Sequence, residues 1–181
     1  MQGEPEDFGN NSTIVRSGHT PSSDEPGRIG WEIFRIFNLF LDLGNSKIAF
    51  CDSLSRLGKQ GYSVEKFVQT PLILERGLVE FQAQTPDGPL RCMLDTGATW
   101  NILNIDIEEG RAIEEVVCDP KNISEIHEFR IGERDFGAIQ FQSLPIDLPI
   151  RIDAILGMDF LQNHAVFIDF ANGQIYFSQK M

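Results

Sequence analysis

The 181-residue sequence predicts an all-β domain, a sandwich or barrel, behind a leader that cannot form a core. Three observations carry this. From Phe67 onward, short apolar runs alternate with Gly, Pro, Asn and Asp clusters, the pattern of strands joined by turns. Only one stretch in that region, GMDFLQNH at 157–164, carries apolar residues at helical spacing, as a brief helix does. The hydrophobic share, 41% of residues, supports a packed core, yet almost none of it falls in residues 1–28.

Taken in order, residues 1–28 are rich in Gly, Pro, Ser, Asn and acid. They read as a disordered acidic leader, because they bury too little apolar surface to offset the entropy of ordering. The next unit, 29–65, opens on the apolar stretch IGWEIFRIFNLFLDLGNSKIAFCD. Its spacing fits an amphipathic helix over Trp31–Leu43, but LFLDL and KIAF around Gly44-Asn45-Ser46 also fit two strands and a tight turn. Periodicity leaves both open. Residues 53–65 are polar with two glycines, as in a connector holding one helical turn. In 66–181, Thr85-Pro86-Asp87-Gly88-Pro89 predicts a turn between LILERGLVEFQAQ and LRCMLDTG. Further turns are expected at 118–122, at Gly132-Glu133-Arg134-Asp135 and at Ala171-Asn172-Gly173.

Composition excludes several function classes. With 27 acidic against 15 basic side chains the net charge is −12, the wrong sign for a phosphate-backbone binder, so no nucleic-acid partner is expected. No run reaches the roughly 18–20 apolar residues that span a bilayer, and no basic-then-apolar signal opens the chain. The Trp31 and Phe cluster is interrupted by Glu32, Arg35, Asn38 and Asp42, so a membrane partner is not expected either. Three cysteines (Cys51, Cys92, Cys118) are an odd count without zinc-site spacing, which suits a reducing, cytoplasmic setting. His127 and His164 have no Cys or carboxylate at ligand spacing, and no Gly-x-Ser-x-Gly is present. No metal or organic cofactor is implied.

The segment that points to chemistry is Leu94-Asp95-Thr96-Gly97-Ala98-Thr99. An apolar strand, RCMLD, delivers a carboxylate to its end, and burying such a group is costly unless it is hydrogen-bonded or used. Glycine at 97 lets backbone amides approach that carboxylate closely. Sixty-two positions on, counting from 95 to 157, the run Ala154-Ile155-Leu156-Gly157-Met158-Asp159-Phe160-Leu161 follows.

These two segments, with PLILERGLVEFQAQTPDGPLRCMLDTGA ahead and FIDFANGQIYF behind, resemble the retropepsin-like (retroviral-type) aspartic proteases over about residues 67–181. The resemblance implies an acid-protease closed β-barrel with one short C-terminal helix, expected as a symmetric dimer. It implies an aspartic endopeptidase in which Asp95 is catalytic. Thr96, Gly97 and Ala98 would complete its loop, with Thr96 bonding across the two-fold axis. Ile155, Leu156 and Gly157 would form the ψ-shaped support. The hairpin from Ile113 to about Phe129 would take the flap position, its tip at Val117, Cys118, Asp119, Pro120, Lys121 and Asn122. The sequence departs from the retroviral pattern at two points: the tip has no glycine-rich run, and Thr99 stands where an acid is usual.

Amide hydrolysis of this type needs two carboxylates sharing one proton, one activating water and one donating to the oxyanion. The sequence holds one Asp-Thr-Gly, so the expected partners are a second copy, in a homodimer with Asp95 from each subunit, and a peptide or protein substrate. The alternative is a catalytically inactive retropepsin-like dimerisation or peptide-binding module. One internal likeness qualifies the picture. Residues 28–52 and 155–179 match without gaps at Gly, Phe, Asp, Asn, Ile and Phe. Either two apolar hairpins share turn chemistry, or residues 29–52 are the tail of a truncated first lobe.

Overall fold

The structure is a computed structural model, and it describes residues 37–105, 122–146 and 148–178. The chain is mostly β, as the turn pattern predicts, and its strands fall into two sheets. The leader, residues 29–36 and five of the six flap-tip residues (117–121) lie outside the described residues.

The first described element resolves the ambiguity around residues 39–50. Leu39–Asp42 (β1) and Lys47–Phe50 (β2) are strands paired antiparallel, with Leu39 opposite Phe50 and Asp42 opposite Lys47. The turn between them is held by Asp42, whose carboxylate accepts from the backbone and side-chain nitrogens of Asn45. Ser46 takes the left-handed conformation at its exit (φ 54°). A short helix, Leu54–Lys59, follows and buries Leu57. Then come Val68–Pro71 (β3), Ile73–Glu75 (β4), Leu78–Thr85 (β5) and Gly88–Leu94 (β6). The Pro86-Asp87 turn sits between β5 and β6 where it is predicted, with Thr85 donating to the Gly88 carbonyl at 2.9 Å.

The remaining strands are Ile102–Asn104 (β7), Ile123–Ile126 (β8), Arg130–Ile131 (β9), Arg134–Asp135 (β10), Ile139–Leu144 (β11), Ala154–Leu156 (β12), Val166–Asp169 (β13) and Gln174–Phe177 (β14). The brief helix expected in 157–164 is Met158–Leu161. The larger sheet runs β10-β9-β5-β6-β12-β7-β11-β8, with β4 also on β5. It curls as a half-barrel and does not close on itself among the described residues. The smaller sheet runs β2-β1-β13-β14-β3.

The main core lies between the sheets. Leu39, Leu41, Val166, Ile168, Ile175 and Phe177 face Phe81, Phe141, Leu156, Phe160 and their neighbours. The Phe81 and Phe177 rings meet at 4.9 Å, and each fully buried Phe is worth roughly 1.5–3 kcal/mol of transfer free energy. Strand period two sends the alternate residues Phe40 and Phe167 to the opposite face. There Leu57 of the helix and Tyr62 cover them. The Tyr62 hydroxyl donates to Asp42 at 2.7 Å; burial first and that carboxylate second push its pKa up to about 12. Cys51 and Cys92 are buried free thiols, and burial pushes Cys92 up to about 12.

A charged clamp ties β4, β5 and β6 of the half-barrel. Arg91 on β6 donates 2.6 Å bonds to both Glu80 on β5 and Glu75 on β4, and the Glu80 side chain is fully buried. Removing one partner of such a pair leaves an uncompensated buried charge. Arg91→Ala is therefore expected to cost about 3–5 kcal/mol in urea unfolding. Arg91→Ala combined with Glu80→Leu is expected to recover most of that loss.

Candidate active site

The Asp95 loop is built from three strands that the sequence separates by dozens of residues. β6 ends at Leu94, the loop 95–101 crosses over, and β7 leaves from Ile102. β12 enters the gap between them, parallel to β6 (Ala154 beside Cys92, Leu156 beside Leu94) and antiparallel to β7 (Ile155 beside Ile102). The loop is thus threaded by a strand end, and its backbone is stitched to that strand. Asp95 N–H donates to the Leu156 carbonyl at 3.1 Å, and Met158 N–H donates to the Ala98 carbonyl at 2.8 Å.

Within the loop, Gly97 N–H donates to Asp95 Oδ1 at 2.8 Å, and Ala98 N–H donates to the Asp95 carbonyl at 3.3 Å. A Cβ on Gly97 would stand 3.1 Å from that same Oδ1, so glycine keeps the approach open. Asp95 is half-buried, while Thr96 and Gly97 are exposed. Among the described residues Asp95 Oδ2 carries no hydrogen bond, leaving one carboxylate oxygen available to a ligand or to a second acid. Ile155 and Leu156 are buried beneath the loop.

Gly157 is buried and its lack of a side chain is a steric requirement. A Cβ there would run into the Trp100 carbonyl oxygen and stand 2.7 Å from that of Ala98. Its N–H donates to Asn101 Oδ1 at 3.1 Å. Asn101 is buried, its Nδ2 donates to the Gln140 carbonyl, and its own carbonyl accepts from Gln142 N–H. One amide side chain therefore holds the loop, β12 and β11 together. Sequence reasoning passed over Asn101; the available signal was a polar residue between Trp100 and the apolar pair Ile102-Leu103.

The structure thus brings Asp95, Thr96, Gly97 and Ala98 together with Ile155, Leu156 and Gly157. Of the six residues of the expected flap tip, only Asn122 is described, directly ahead of β8, which pairs antiparallel with β11 (Ile123 opposite Gln142). Trp100 on the Asp95 loop is half exposed. No group of three or more His, Cys, Asp or Glu among the described residues has the arrangement of a metal site.

No protein-family model and no curated protein matches the chain. Solved structures do. One is a retropepsin-like aspartic protease from Rickettsia conorii, 17% identical, covering 64% of this chain and 93% of that one, TM-score 0.40. Basic 7S globulin from soybean is 11% identical, covering 78% of this chain and 50% of that one, TM-score 0.43. Conglutin gamma, a basic 7S globulin from lupine seeds, is 11% identical, covering 82% and 54%, TM-score 0.46. The chain spans about half the length of the two globulins.

The clasp around the loop yields a measurable expectation. Asn101→Ala leaves the buried Gly157 N–H and Gln140 carbonyl unpaired, so unfolding free energy should drop by about 2–4 kcal/mol. Gly157→Ala forces a methyl against two carbonyl oxygens and should cost more, with thermal unfolding as the readout.

Proposed function

We propose that the protein is an aspartic endopeptidase in which Asp95 supplies one of the two catalytic carboxylates. The observation that supports this most is the threaded loop: a half-buried carboxylate with one oxygen held by the Gly97 amide and the other unbonded among the described residues, on a backbone stitched to β12. Two such groups a few ångströms apart cannot both ionise, so the pair shares a proton. The ionised member takes a proton from water, which attacks the scissile carbonyl, and the protonated member donates to the developing oxyanion. The exposure of Gly97 supports a backbone contact from this loop to an extended peptide, and that of Thr96 supports a bond to the loop that carries the second carboxylate.

The second carboxylate comes from a second lobe that bears its own Asp-Thr-Gly. A second copy of the chain, giving a homodimer with Asp95 from each subunit, is the source that a single Asp-Thr-Gly suggests. A lobe on a different stretch of polypeptide is the other. The catalytically inactive dimerisation or peptide-binding module is favoured by one observation, that β1 already covers the edge of β13. The buried free thiols of Cys51 and Cys92 fit work in the reducing cytoplasm.

The test is cleavage of a peptide library between about pH 4 and 6, where shared-proton carboxylate pairs work. Asp95→Asn should lower the rate by about 10²–10⁴-fold while leaving the melting temperature within a few degrees of the parent. Equal rates in parent and variant would remove Asp95 from the chemistry. Binding of extended peptides without turnover would select the inactive module.

A further inference from the structure

On the face of the smaller sheet that carries Phe40 and Phe167, a cavity of about 440 Å³ opens. Three separate stretches of chain wall it: the β1–β2 turn with Asn45 and Lys47, the connector from Gln60 to Phe67, and Ser178 just past β14. A buried carboxylate ties the first two walls together. Asp42 is 1% exposed; its Oδ2 accepts from the Tyr62 hydroxyl at 2.7 Å, and both of its oxygens accept from the Asn45 side chain. Its oxygens are thus engaged inside the wall.

The groups left free around the cavity are donors, and two of them are charged. Lys47 Nζ stands over the Tyr62 ring, 5.5 Å from its centroid, and Lys66 lines the same space. Among the described residues neither ammonium pairs with a carboxylate, although Arg56, Arg91, Arg130 and Arg151 all do. Of the three lysines among the described residues, two line this one cavity, in a chain whose net charge is −12. Unpaired like charges on one concave wall repel each other and focus a positive potential there, which an anion relieves. Neutral donors stand beside them. Ser178 is 4% exposed and its Oγ accepts the Ala165 N–H at 2.7 Å, so its own proton is left to donate. The Gln60 side-chain amide makes no bond among the described residues. Phe67 adds an apolar wall.

We propose that this cavity binds a phosphate monoester of a small organic group. Lys47 and Lys66 take the phosphate, Ser178 and Gln60 donate to its oxygens, and the organic group lies against Phe67. Two free ammoniums match a phosphate monoester, which carries about −1.5 to −2 charge near neutral pH, better than a carboxylate with a single charge. The volume falls within the roughly 300–1,000 Å³ of small-molecule sites, so an organic group fits beside the phosphate. The cavity shares no residue with the Asp95 loop, and its ligand is independent of whether the chain cleaves peptides.

The test is a calorimetric titration of the full chain with phenyl phosphate at about pH 7.5, where the ester is mostly dianionic. One molecule should bind per chain, with inorganic phosphate and benzoate each weaker by about tenfold, since one lacks the organic group and the other the second charge. Lys47→Gln and Lys66→Gln should each weaken binding about threefold to tenfold. Lys47→Glu with Lys66→Glu should abolish it at unchanged circular dichroism, because both lysines are exposed. Asp95→Asn should bind phenyl phosphate as the parent does. The proposal is overturned if no saturable binding occurs up to about 10 mM, a free energy of under 3 kcal/mol. It is equally overturned if binding survives the double charge reversal, or if benzoate or inorganic phosphate binds as tightly as the ester.

Discussion

A single amide side chain and a missing methyl group hold the candidate site in place. Asn101 receives the Gly157 N–H, and the bare α-carbon of Gly157 lets the carbonyls of Ala98 and Trp100 close over β12. The bonds from Asp95 N–H to the Leu156 carbonyl, from Met158 N–H to the Ala98 carbonyl and from Asp159 N–H to the Thr99 carbonyl stitch the loop to the same strand end and the helix after it. The carboxylate is positioned by backbone groups, which carry fixed dipoles and need no reorganisation when charge develops. That is why the site can sit on a loop and still be rigid: the loop is pinned from behind by a strand buried on both sides.

The two sheets divide the work. The half-barrel carries the Asp95 loop on its β6-β12-β7 centre, and the smaller sheet closes the core from the other side with Val166, Ile168, Ile175 and Phe177. Since β13 is buried on both faces, its sequence reads VFID without alternation, and the helix Leu54–Lys59 with Tyr62 supplies the second cover. The connector between the hairpin and β3 is thus a structural layer, which its polar composition does not advertise.

Much of this was legible in the sequence where the signal is local. The turns at Pro86-Asp87, Gly132-Glu133 and Asn172-Gly173 stand where the dipeptides place them, because φ > 0 positions and Asx caps depend on two or three adjacent residues. Asp95 at a strand end and the helical turn at Met158–Leu161 are likewise short-range features. Leu39–Leu43 is ambiguous from sequence for a physical reason: the short run LFLDL, apolar at all but one position, fits the end of a helix stripe over Trp31–Leu43 and a two-faced buried strand equally well. Asn101 escaped notice because its three partners lie 39, 41 and 56 residues away, and no local rule rewards such an asparagine. The insertion of β12 between β6 and β7 leaves no local signal, since parallel pairing has no turn between the partners; only the resemblance, through Ile155, Leu156 and Gly157, points to it.

The placement of β1 on β13 bears on how the molecule comes together. Leu39 must find Ile168 across most of the chain, and a slip of one residue would turn Phe40 into the main core and push both leucines out of it. Joining such distant segments costs loop entropy that local hairpins do not, so the half-barrel can assemble while this seam is still open. Among the described strand pairings this seam joins the segments farthest apart in sequence, so its closure carries the largest loop-entropy cost of the fold.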